Sequence, residues 1–149
     1  MAKYDIHFQP VMPPESASGY KIFTFGFISP LKVRGPQALV NRWLKTFMTP
    51  KGTDPLHPSY GTEFGSLPGS NIGDFSMLQD IVVMAIDDAN EQVRTQESKM
   101  YLDADESLAT ASFGWLVPYV GGDGFSVGIV ISNMAGRTLP LKLTLAATR

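Results

Sequence analysis

The sequence predicts an α+β fold: an N-terminal strand, two helices joined by an ordered Pro/Gly-rich loop, and a C-terminal antiparallel sheet of three to four strands. Three observations predict it. Apolar residues recur at three- and four-residue steps in two segments, 36–48 and 74–95, as helix faces require. Between them, residues 49–64 hold three prolines and two glycines, too many for helix or central strand, yet carry Leu56, Tyr60 and Phe64. After residue 100 the chain turns to β-branched and alternating patterns punctuated by glycine turns.

The elements follow in chain order. Residues 1–19 read as an extended N-terminal arm. Tyr4, Ile6 and Phe8 suit a short strand, which Pro10, Pro13 and Pro14 are expected to break. Residues 20–149 read as a single α+β domain, in keeping with a length of 149 residues. Residues 20–28 are strand-like, and residues 31–34 suit a second short strand.

Gly35-Pro36 opens the first helix, because proline fits the first helical position. Leu39, Val40, Trp43, Leu44, Phe47 and Met48 form its apolar face, with Asn41, Arg42 and Lys45 expected on the wet side. Thr49-Pro50 ends it. In the loop that follows, Leu56, Tyr60 and Phe64 are expected to pin the chain to the core.

Asp74 is expected to cap the second helix, which runs to about Thr95. Phe75, Leu78, Ile81, Val82, Ala85 and Ala89 form its core face, and Val83, Met84 and Ile86 add apolar surface elsewhere. Residues 87–94 turn polar and are expected to leave the core. Strands are expected at 100–103, 108–120, 125–132 and 138–145. Gly121-Gly122-Asp123-Gly124 signals a hairpin turn, and Leu139, Leu141, Leu143 and Leu145 alternate as in a strand with one wet face.

Composition limits the chemistry. There is no cysteine, which excludes disulfides, zinc-thiolate sites and thiol catalysis. The net charge is −2 without a Lys/Arg block, so nucleic acid is not an expected partner. The longest apolar run, residues 81–86, is far below a membrane span, and no hydrophobic signal run opens the sequence. A cytoplasmically made, soluble protein is expected. Charged residues are only 17%, so part of the exterior is expected to be covered by partners.

His7 and His57 are the only histidines, and no Gly-x-Ser-x-Gly elbow or P-loop is present. Asp87 and Glu91 lie four apart on one helix face, and Asp103, Asp105 and Glu106 form a second acidic group. Two such carboxylates can run glycoside hydrolysis when held at the right separation, but nothing in their spacing sets that geometry. The plainer reading is a solvated face. No cofactor or metal is expected.

Residues 39–64, Leu-Val-Asn-Arg-Trp-Leu-Lys-Thr-Phe-Met-Thr-Pro-Lys-Gly-Thr-Asp-Pro-Leu-His-Pro-Ser-Tyr-Gly-Thr-Glu-Phe, resemble the baseplate wedge or sheath-initiator family of contractile phage tails, sometimes labelled lysozyme-like. That family shows a helix ending in Leu-x-Thr-x-x-Gly-Glu-Arg, then Pro-x-Phe/Tyr-Gly-x-x-Leu. Thr49, Gly52, Pro58, Tyr60, Gly61 and Phe64 match it. Thr53-Asp54 stands where the family has Glu-Arg. The family's Glu-Pro-Arg element has its nearest counterpart in Glu91 and Arg94, with different spacing and no proline. The likeness spans residues 20–145.

It implies a structural virion protein without catalysis, present in multiple copies in a symmetric assembly. Its implied partners are the tail sheath protein and other baseplate wedge and hub proteins, with no nucleic acid and no membrane. The implied joint is strand pairing, for which residues 125–132 and 138–145 are the expected strands. Phe125, Val127, Ile129, Leu139, Leu141 and Leu143, with Glu91 and Arg94, are the expected partner contacts. Gly52, Pro58, Tyr60, Gly61 and Phe64 are the expected loop brace. Two other readings stay open: a peptidoglycan or glycan hydrolase using two of Asp87, Glu91, Asp103 and Glu106, and a small-molecule binding module.

Overall fold

A computed structural model describes residues 8–11, 22–25, 33–67, 75–119 and 124–146. The fold is α+β, with two helices and a three-stranded antiparallel sheet at the C-terminal end. In order these are strands β1 (Phe8–Val11) and β2 (Ile22–Phe25), helices α1 (Pro36–Met48) and α2 (Phe75–Glu97), and strands β3 (Leu108–Pro118), β4 (Gly124–Asn133) and β5 (Thr138–Ala146). A short 3-10 turn, Glu63–Ser66, closes the loop after α1.

β1 and β2 pair antiparallel as a separate two-stranded sheet, Phe8 opposite Phe25 and Val11 opposite Ile22. Pro10 therefore lies within the first strand rather than ending it, and the expected arm at 1–19 contributes a paired strand. Tyr4, Ile6, Pro13 and Pro14 fall outside the described residues. Val33 and Arg34 are not strand.

α1 starts where expected, with Pro36 in its first turn and Gly35 preceding it at φ 67°. Gly35 has no side chain to cap the helix. Its own N–H is instead taken by Glu106 Oε1, 2.7 Å away across the fold. Leu39, Val40, Trp43, Leu44 and Phe47 are buried, whereas Met48 is exposed. Asn41 is a correction: it is buried, with its Oδ1 accepting from Gln37 Nε2 at 2.9 Å. Arg42 is also largely shielded, in an ion pair with Glu97 at 2.6 Å.

α2 begins at Phe75, so an Asp74 cap lies outside the described residues. Leu78, Val82, Ala85, Ile86, Ala89 and Val93 face the core. Phe75 does not; it is exposed, as are Val83 and Met84. The polar end of the helix stays on the body, since Asn90 and Val93 are buried. Its polar side chains bond to backbone of the loop and sheet, which is why they remain there.

No strand forms at 100–103. The Met100 N–H bonds back to the Glu97 carbonyl, and the Glu106 N–H to that of Asp103 (2.9 and 3.0 Å), so this acidic segment is spent on turns. The sheet order is β3-β4-β5, a simple meander. Its inner face is Phe125, Val127, Ile129 and Ile131 of β4, Leu108 and Ala111 of β3 and Leu141 of β5, all buried. On the other face, Trp115 lies against Gly128, where a Cβ would meet the indole at 2.3 Å. Four rings link helix to sheet: Trp43 stacks on Phe47 (4.8 Å), Phe47 on Phe64 (4.3 Å), and Phe64 meets Phe125 edge-on (6.2 Å).

Candidate functional site

Two features position the sheet relative to the helices: the loop at 49–64 and the side chains of the last turns of α2. The loop is tied at its root by a parallel bridge between Pro50 and Thr62. The Thr62 N–H donates to the Thr49 carbonyl (2.9 Å), and the Thr62 hydroxyl donates to that of Phe47 (2.7 Å). Gly61 sits at φ 98°, a left-handed conformation that glycine takes without cost. A Cβ there would lie 2.4 Å from the Thr49 carbonyl oxygen.

Gln92 of α2 clamps this glycine. Its Oε1 accepts the Gly61 N–H and its Nε2 donates to the Gly61 carbonyl, both at 2.9 Å. Phe64 is fully buried, and the half-buried Tyr60 shares a 3.1 Å bond with Thr46 through its hydroxyl. Gly52 takes φ 86° at an exposed turn, and Pro58 is exposed. Leu56 is a correction: at 84% exposure it is not pinned to the core.

The loop tip owes its shape to Asp54 instead. Its Oδ1 accepts the N–H groups of Leu56 (2.9 Å) and His57 (3.3 Å), and its Oδ2 lies 3.2 Å from His57 Nδ1. The Leu56 N–H above all, aided by His57, holds the Asp54 carboxyl below its ordinary value.

Asn90 is the residue that periodicity missed. Its Oδ1 accepts Trp43 Nε1–H (2.9 Å) and the Ala111 N–H (3.1 Å), while its Nδ2 donates to the Ala111 carbonyl (2.9 Å). One amide thus joins α1, α2 and β3. One turn on, Arg94 Nη2 donates to the Ala109 carbonyl (2.6 Å). Glu97 Oε2 accepts the Leu108 N–H (2.9 Å) while its other oxygen holds Arg42. The sequence signal was present in the polar residues spaced at 90, 94 and 97 on one face of a buried helix.

These contacts decide which expected partner residues reach a surface. β4 has a strand on each side, so it has no edge to offer. Phe125, Val127 and Ile129 are buried in the core. The expectation that residues 125–132 form a joint is overturned by that central position. Leu141 is buried, and Leu139 and Leu143 pack half-buried against the core, so these three side chains of β5 face inward as well. Among the described residues no strand pairs with the outer side of β5. Arg94 is occupied by β3, whereas Glu91 is exposed on α2.

The four carboxylates of the hydrolase reading do not share one engagement. Asp87 and Glu91 are exposed on α2, Asp103 is exposed in the turn beyond it, and Glu106 is engaged with Gly35. Among the described residues no three His, Asp or Glu side chains gather to hold a metal ion. No helix among them is long and apolar enough to cross a membrane. Compared with known proteins, the chain matches no family model, no curated protein and no solved structure.

Proposed function

We propose that this chain is a structural component of a contractile phage tail baseplate. It joins the baseplate wedge to the tail sheath and initiates sheath assembly by strand pairing, in multiple copies around a symmetric assembly. The reading rests on the likeness of residues 49–64 to the wedge family together with one observation: a sheet ending in β5, with no strand on its outer side among the described residues. An edge of this kind takes up a partner strand through main-chain hydrogen bonds, with side-chain alternation fixing register.

The braced loop serves that role. Thr62, Gly61 and Gln92 fix the two helices to each other, and Asn90 fixes both to the sheet. The edge strand is then presented at a set angle. The partners are the tail sheath protein and other wedge and hub proteins, and the place of action is the virion. No chemical step is assigned.

Imaging of particles assembled without this protein tests the proposal. Baseplates with no sheath attached are expected, and normally sheathed tails would refute it. Peptidoglycan turnover by the purified protein that disappears in Glu91→Gln would also refute it, in favour of a hydrolase.

A further inference from the structure

The meander has two outer strands, and they are not equivalent. Hydrogen bonding across the turns fixes which backbone groups look outward. The Tyr119 N–H donates to the Gly124 carbonyl, and the Asn133 N–H to that of Arg137, both at 3.0 Å. Antiparallel pairs alternate from those points. In β3 the outward groups include the Leu108 N–H, the Ala109 carbonyl and those of Ala111, Phe113, Leu116 and Pro118; in β5 they are those of Thr138, Pro140, Lys142, Thr144 and Ala146.

The outer side of β3 is closed along its first half. Asn90 takes both backbone groups of Ala111, Arg94 the Ala109 carbonyl and Glu97 the Leu108 N–H. Its second half is broken by a register shift between Phe113 and Trp115, and Pro118 offers no donor. A regular added strand finds no continuous ladder there. β5 pairs with β4 without a register shift. Its one interruption is Pro140, whose missing N–H falls in the outward row and so costs the β4–β5 ladder nothing.

We infer that the strand donated by a neighbouring tail protein seats on the part of β5 that is C-terminal to Pro140, through the outward backbone of Thr144 and Ala146. Pro140 sets the end of its register. The inference rests on the strand-pairing role proposed above and names its edge and its limit. Thr144 is held for this: its hydroxyl and that of Ser126 lie 2.8 Å apart across the two strands. The occupant is an extended peptide segment, because the outward groups of β5 repeat at strand spacing and a strand alone meets that repeat.

Two proline substitutions test it. Thr144→Pro removes an outward donor beyond Pro140, and Thr138→Pro removes one before it; neither removes a backbone donor from the β4–β5 ladder. Thr144→Val, which loses only the hydroxyl bond to Ser126, is expected to keep the wild-type yield, and a loss equal to that of Thr144→Pro would overturn the inference. In complemented particles, Thr144→Pro is expected to lower the yield of sheathed tails at least about tenfold, the scale of one buried carbonyl left without its donor. Thr138→Pro is expected to leave the yield at the wild-type level. Equal yields from both variants would overturn the inference, while a sheathless phenotype on deletion would still stand for the parent proposal. Amide exchange on the wild-type chain gives a second readout that needs no variant. Thr144 and Ala146 are expected to be slow in intact tails and fast in the isolated protein. Fast exchange in both would overturn the inference. So would slow exchange in the isolated protein with concentration-dependent dimers, which would assign the edge to a second copy of this chain.

Discussion

At the scale of residues, the fold turns on a few polar groups whose roles are set by backbone they reach. Gly61 is the sharpest case, since positive φ, the Thr49 carbonyl and the Gln92 amide all bear on one position. Gly61→Val is expected to destabilise the protein by about 2–4 kcal/mol, because a β-branched residue is strained at that φ and its Cβ collides with backbone. Urea denaturation measures it, and a midpoint equal to wild type would remove the brace. Asp54 makes a different prediction. Its folded pKa is depressed, so its contribution to the loop tip is present above the unfolded value and is lost as pH falls through the folded one. The amide resonances of Leu56 and His57 are expected to move together as Asp54 titrates below the ordinary carboxylate range. Resonances that move only at the ordinary value would show that the Leu56 N–H does not hold the carboxylate.

At the scale of elements, both helices were legible because burial and period agree: Leu39, Trp43 and Phe47 in α1, Leu78, Val82, Ala85 and Ala89 in α2. What the pattern hid were polar residues on buried faces. Asn41 and Asn90 read as solvent positions by residue type, yet each is buried because it bonds inside the fold. Leu56 failed in the opposite sense, being apolar but carried out on a turn that Asp54 shapes. Strand order was hidden too, since alternation along 125–132 and 138–145 does not say which strand lies in the middle. Pro118 and Pro140 carried that information, because proline is confined to strand edges and ends. Of the expected contact residues, the sequence alone could not separate those facing the core from those at an edge. The Asn90 junction carries its own prediction. Asn90→Ala strands the buried Trp43 N–H and both backbone groups of Ala111, and is expected to cost about 3 kcal/mol. Thermal unfolding followed by tryptophan fluorescence measures it, and an unchanged transition would show that water replaces the amide.

At the scale of the whole molecule, all the buried hydrophobic residues described, from Leu39 to Leu141, and the half-buried ones packed on them belong to the two helices, the loop between them and the C-terminal sheet. The ring contacts from Trp43 to Phe125 and the clamps of Asn90, Gln92 and Glu97 fall within the same span. Among the described residues β1 and β2 pair only with each other. A lone two-stranded ribbon has too little apolar surface to fold by itself, whereas a helix pair on a three-stranded sheet encloses a core. The two parts are therefore unequal in what they need from each other. A chain starting at Val33 keeps Gly35 for its bond with Glu106 and every core residue named above, and is expected to unfold in one cooperative transition. Its midpoint is expected within about 5 °C of that of the full chain, the shift that roughly 1 kcal/mol produces in a domain of this size. A broad, non-cooperative transition in the shortened protein would place part of the core in the N-terminal segment. A retained cooperative transition would show that the core named above forms without residues 1–32.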